Sequence, residues 1–69
     1  MVFTKGATAR LLEWASQKEK PVQRDFLEYF NKGMRVEEKM GITVMTGQLV
    51  EAYIRDYEAL KTTDRIIKQ

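Results

Sequence analysis

The sequence predicts an all-α fold: a small bundle of three to four helices in a single domain over residues 1–69. Apolar residues recur at helical spacing in several stretches, and glycine or proline separates those stretches. A chain of this length is close to the lower size limit for one unaided hydrophobic core, so one domain is expected. A short β pairing of residues 2–4 with residues 42–45 is an open addition to this fold.

The first helix is expected to follow Gly6, with Thr8 as its N-cap. Apolar residues recur along one face of it at Ala7, Leu11, Trp14 and Ala15. It should end near Lys18 or Lys20, because the residue before Pro21 is disfavoured in the α region.

Pro21 suits the first position of a second helix, where its missing N–H costs nothing. An apolar stripe follows at Val22, Phe26, Tyr29 and Phe30. Gly33 is expected to end this helix by adopting the left-handed conformation. A short helical segment over residues 34–40 should come next, and Gly41 should stop it.

Residues 42–46, with the sequence ITVMT, allow two interpretations. Their β-branched side chains could form a strand that pairs with residues 2–4. Alternatively the segment is the turn between two helices, with Thr43 or Thr46 as the N-cap of the helix that follows. The turn is the favoured interpretation.

The last helix is predicted from Gln48, with apolar residues at helical spacing as far as Leu60. The final segment, TTDRIIKQ, either extends it or starts a short new helix. Ile66 and Ile67 would be unfavourable on a monomer surface, so they are expected to pack back on the core or against a dimer mate. The candidate interface residues are Trp14, Tyr53, Tyr57, Ile66 and Ile67. Each of them could instead belong to the core.

Composition narrows the possible functions. Cysteine is absent, so no disulfide supports this small core; a cytoplasmic protein and a homodimer are expected. No apolar run is long enough for a membrane span. Histidine is also absent and Ser16 is the single serine, so nucleophilic triads are excluded and no enzyme, metal or cofactor is expected.

An element with the spacing of a helix-turn-helix is centred on Gly41. Its apolar seam and turn residues are Val36, Met40, Gly41, Ile42 and Val50. Over residues 35–55 the chain resembles helix-turn-helix transcriptional regulators. It departs from them at Glu37, where a small residue is usual, and at Gly47, where an aliphatic residue is usual.

The resemblance implies a small dimeric regulator that binds double-stranded DNA, of the kind common in phages, plasmids and mobile elements. The residues expected to face the major groove are Thr43, Val44, Met45 and Gln48. None of these is basic, so phosphate contacts must come from elsewhere. The expected phosphate-binding residues are Arg24, Lys32, Arg35 and Lys39, with Arg10, Lys18 and Lys20 as further candidates.

The alternative function is a non-enzymatic protein-interaction module that binds and modulates a larger protein. It requires an exposed apolar patch, expected to involve Met34, Met45, Ile66 or Ile67. The net charge of +2 is too small to decide between the two functions. Residues 1–35 carry seven basic and four acidic residues, whereas residues 36–69 carry five and six, so a polyanion would meet the first half.

Overall fold

A computed structural model describes the backbone of residues 1–68 and the side chains of residues 1–62. Three helices and two short strands follow one another along the chain. They are β1 (Val2–Phe3), α1 (Lys5–Ser16), α2 (Lys20–Lys39), β2 (Val44–Met45) and α3 (Gly47–Lys68). The predicted helical bundle is confirmed, and so is the β pairing that the sequence left open. No described helix is long and apolar enough to cross a membrane.

The first helix begins earlier than predicted, at Lys5. Thr4, rather than Thr8, is its N-cap: the Thr4 Oγ1 atom accepts a hydrogen bond from the Ala7 backbone N–H at 3.2 Å. Gly6 therefore lies inside the first turn instead of preceding the helix. Threonine is a favoured cap at either position, so the sequence pattern did not distinguish them.

The second helix is continuous through Gly33, so the predicted break at this glycine is wrong. Gly33 lies against the ring of Tyr53 on α3, and a Cβ atom there would lie 2.7 Å from the Tyr53 Cζ atom. Its role is close packing rather than helix termination. The predicted stop at Gly41 is confirmed: α2 ends at Lys39, and Gly41 has a φ of +94°, which favours glycine.

The two strands are parallel neighbours, so the favoured interpretation of residues 42–46 as a simple turn is wrong. The Val2 N–H donates to the Thr43 carbonyl at 2.8 Å, and the Thr4 N–H donates to the Met45 carbonyl at 3.0 Å. Side chains alternate across the pair. Met45 faces the core, whereas Val2 faces solvent.

The third helix starts after Thr46, whose Oγ1 atom accepts a hydrogen bond from the Leu49 N–H at 3.2 Å. This confirms one of the two caps proposed from the sequence. The helix continues to Lys68, so the final segment extends it. The side chains of Ile66 and Ile67 lie outside the described residues.

An aromatic cluster joins the three helices. The rings of Trp14 on α1 and Phe26 on α2 lie 4.5 Å apart, and Tyr57 on α3 meets both with its edge, at 5.9 and 5.4 Å. Such edge contacts are preferred by the ring quadrupoles. The buried hydrophobic residues of the described chain are Ala7, Trp14, Phe26, Phe30, Met45, Val50, Ile54 and Tyr57.

A polar contact ties α2 to α3 at the rim of this core. The Tyr57 hydroxyl donates to Asp25 Oδ2 at 2.7 Å, and the Lys61 ammonium lies 2.8 Å from the same oxygen. The hydrogen bonds from Lys61 and Tyr57 hold the pKa of the Asp25 carboxyl below its ordinary value of 3.8.

We expect Gly33→Ala to destabilise the protein although alanine is the better helix former. The new methyl group meets the Tyr53 ring, and overpacking of this kind costs about 1–3 kcal/mol, against a gain of about 1 kcal/mol in helix propensity. Gly6→Ala is the matched control, because its Cβ would have no neighbour closer than 4.0 Å. Thermal unfolding should show a lower Tm for Gly33→Ala only; an unchanged or higher Tm would contradict the close packing.

We expect Asp25→Asn to lower the free energy of unfolding near neutral pH but not in acid. A carboxyl whose pKa is lowered on folding stabilises the fold above its unfolded pKa, and this contribution is lost as pH falls through the folded pKa. Urea unfolding at about pH 7 and about pH 2 measures the difference. Asp56→Asn, which removes an exposed carboxylate on α3, is the control. An equal loss for Asp25→Asn at both pH values would contradict the ionic contribution.

Candidate interaction surfaces

The predicted base-reading corner is only partly exposed. Thr43, Val44 and Gln48 lie at the surface, but Met45 is 0 % exposed and belongs to the core. The prediction that Met45 contacts bases is therefore wrong. Its side chain is buried because β2 pairs with β1, which turns alternate residues of the strand inward.

The connection between α2 and α3 also differs from a tight helix-turn-helix turn. It runs from Met40 to Thr46, which is seven residues, whereas the motif uses a turn of three or four. Within it, the Thr43 carbonyl is hydrogen-bonded to Val2 of β1, and the Met45 carbonyl is hydrogen-bonded to Thr4, which follows β1. This corner is thus built as the second strand of a sheet.

The predicted phosphate-binding residues lie together on one helix. The exposed basic residues of α2 are Lys20, Arg24, Lys32, Arg35 and Lys39. At 3.6 residues per turn they fall within an arc of about 120° along about 28 Å of helix. Glu28 lies within this arc and Glu38 at its edge. We call the five basic residues the α2 basic face.

Arg10 and Lys18, the further candidates outside α2, are engaged elsewhere. Arg10 Nε donates to Glu51 Oε2 at 2.6 Å, joining α1 to α3. The Lys18 ammonium lies 5.5 Å from the centre of the Trp14 ring. None of the five ion pairs found among the described side chains involves the α2 basic face. Its charges are therefore directed to solvent.

Two of the predicted interface residues are core residues. Trp14 is only 4 % exposed and Tyr57 is also buried, so neither side chain is available to a dimer mate. Tyr53 is half-buried and packs edge-on against Phe30, with ring centres 5.1 Å apart. Met45 was also predicted to contribute to an exposed apolar patch for a protein partner. That prediction is wrong for this residue, because its side chain is buried.

A groove between α1 and α2 is an almost wholly apolar concave surface. Its lining residues are Leu11, Leu12, Trp14, Ala15, Gln23, Phe26 and Leu27, and its volume is about 200 Å³. Leu12 is 66 % exposed and Leu27 is 49 % exposed, on opposite walls. We call this feature the α1–α2 groove.

Gln23 holds the two walls of the groove together at one end. Its Nε2 atom donates to the Ala15 carbonyl at 2.6 Å and to the Lys18 carbonyl at 3.1 Å. The Ala15 carbonyl belongs to the last turn of α1, where carbonyl groups lack partners within the helix, and the Lys18 carbonyl lies in the connection just after it. The side chain thereby fixes the end of α1 on α2.

The α1–α2 groove was not predicted from the sequence, although the sequence contains a pattern that indicates it. Leu12 lies beside the apolar face predicted for the first helix, and Leu27 lies beside the stripe predicted for the second. Each leucine directly adjoins a residue of the buried stripe but lies about 100° from it around the helix, so an amphipathic helix should expose it. Two such off-stripe leucines on adjacent helices are the pattern that could have indicated the groove.

The Tyr57 phenol is held in its neutral form. Burial raises the pKa of Tyr57 to about 12, assisted by its hydrogen bond to Asp25, so this phenol stays protonated at neutral pH. No group of three or more acidic side chains that could hold a metal ion occurs in the described part of the chain.

Comparisons with known proteins found no significant match: no protein-family model, no curated protein and no solved structure is significantly similar to the chain.

Proposed function

We propose that this chain is a non-enzymatic protein-interaction module that binds a segment of a larger protein in the α1–α2 groove. The exposure of Leu12 and Leu27 beside an apolar cavity carries this proposal. Full burial of one leucine side chain is worth about 1.5–3 kcal/mol, so covering both supplies substantial binding energy.

The dimensions of the groove favour a protein segment over a small molecule. Its volume of about 200 Å³ is below the roughly 300–1,000 Å³ of typical small-molecule sites. It has room for a few apolar side chains of a docked segment. Trp14 and Phe26 form its inner surface and are already fixed in the core. A partner therefore meets an ordered surface, which reduces the entropy lost on binding.

Selection from a displayed random-peptide library tests this function. We expect peptides enriched on the wild-type protein to lose at least about tenfold in affinity for Leu12→Asp and Leu27→Asp, because a buried carboxylate opposes docking. Leu60→Asp is the matched control: Leu60 is 54 % exposed on α3, away from the groove. Both groove variants should keep their stability, since these side chains are exposed. Enriched peptides that bind all three variants equally, or no enrichment at all, would contradict the proposal.

The α2 basic face supports a second candidate function, binding to the backbone of duplex DNA. Five exposed cations along one helix can contact several phosphates, and contacts of this kind supply most non-specific affinity. In this mode the corner of Thr43, Val44 and Gln48 need not read bases, because phosphate contacts alone position the protein. The candidate does not depend on a helix-turn-helix geometry.

Salt dependence of binding to a random-sequence duplex tests the second candidate. Four phosphate contacts would lower the affinity about 100-fold between 50 and 200 mM salt. Replacing Arg35 and Lys39 by glutamine should reduce the slope of log K against log salt by about 2. Arg55→Gln, which removes one cation from α3, is the control and should leave the slope unchanged. Absence of a complex at low salt would exclude this function without affecting the first.

A further inference from the structure

The walls of the α1–α2 groove are both helices, and this decides the backbone conformation of an occupant. The groove spans Leu11 to Ala15 on one wall and Gln23 to Leu27 on the other, about one helical turn each. Backbone groups within helices are already hydrogen-bonded to one another, so these walls have no free backbone groups with which an extended strand could pair. A helix, which satisfies its own backbone groups, is the conformation that suits them.

The two rims of the groove differ in charge. On α2, Lys20 and Arg24 lie beside the groove, three residues before the lining residues Gln23 and Leu27, and both are exposed. On α1, the exposed residue that lies one turn after Leu12 is the neutral Ser16. The α2 rim is therefore positive, and the α1 rim is close to neutral.

Nearby carboxylates do not cancel this positive rim. Glu13 on α1 lies 3.4 Å from Arg10, so its charge is already partly balanced. Glu19 is exposed between Lys18 and Lys20, where two cations flank one anion. The end of the groove where α1 passes into α2 remains basic.

A buried donor lies in the lining of the groove. The indole N–H of Trp14 has no hydrogen-bond acceptor among the described residues, although the side chain is almost fully buried. The Lys18 ammonium lies over the same ring. Atoms of the protein itself cover this N–H, so it is not offered to an occupant and does not contribute to the charge of the rim.

We propose that the occupant of the groove is an amphipathic helix of a partner protein, with leucine-like residues on one face and Asp or Glu along the edge that meets Lys20 and Arg24. This rests on the function proposed above and names the chemistry of its partner. A second copy of this chain is a poorer occupant, because a two-fold contact through the groove would bring two positive rims together.

Three helix-prone peptides test this inference. They share leucines at i, i+4 and i+7 and carry Glu, Gln or Lys along one edge. Trp14 is the single tryptophan of the chain, so its fluorescence reports occupation of the groove by peptides that lack tryptophan. We expect the Glu peptide to bind at least about tenfold more tightly than the Lys peptide, with the Gln peptide between them. Circular dichroism of the free peptides controls for differences in helicity.

Charge reversal on the protein supplies the decisive comparison. Replacing Lys20 and Arg24 by glutamate should reverse the order, so that the Lys peptide binds best. Lys39→Glu, on the same face of α2 but about 22 Å from Arg24, should keep the original order. If the three peptides bind with equal affinity and Leu12→Asp abolishes their binding, the inference of an acidic helix is overturned. The proposed function is then left intact.

Other outcomes separate the remaining possibilities. Failure of the displayed library and of all three peptides to bind would remove the proposed function as well. Duplex DNA that binds through Lys20 and Arg24, with no peptide altering the Trp14 fluorescence, would overturn the inference in favour of a nucleic acid. Self-association of the wild type that Leu12→Asp abolishes would assign the groove to a second copy.

Discussion

The packing of Trp14 against Phe26 is the contact on which the rest of the structure depends. It joins α1 to α2, and Tyr57 adds α3 to the same cluster. A chain of 69 residues without cysteine has no disulfide to replace this contact. Because the rings point inward, Leu12 and Leu27 beside them are left outside. The arrangement that closes the core thus also creates the groove above it.

Local rules predicted the parts of the fold that local forces control. Gly41 stops α2 because a positive φ favours glycine, and Thr46 caps α3 through a bond to a residue three positions away. Gly33 obeys a different constraint. It has the sequence pattern of a helix end, but it lies inside α2. There its lack of a side chain leaves space for the ring of Tyr53, twenty positions later in the chain. No local pattern carries that information.

The predicted site depended on those same non-local contacts. A methionine such as Met45 fits either a core or a surface position, so residue type alone does not place it. Its burial follows from pairing between β1 and β2, which are far apart in sequence. The basic residues of α2 were named from the sequence, but their position on one common face was not predicted, because a helix broken at Gly33 has no defined phase between Arg24 and Lys39. A continuous helix sets that phase and aligns the two ends.

The helices do not share their contacts equally. The backbones of α1 and α3 lie close together and are joined by the Arg10–Glu51 ion pair, whereas the backbone of α2 approaches its neighbours at fewer places. Large core side chains of α2, Phe26 and Phe30, make the contact instead. The Trp14 and Phe26 rings therefore set the distance between the two walls of the groove. A substitution that changes the size of either ring would alter the width of the groove together with the core.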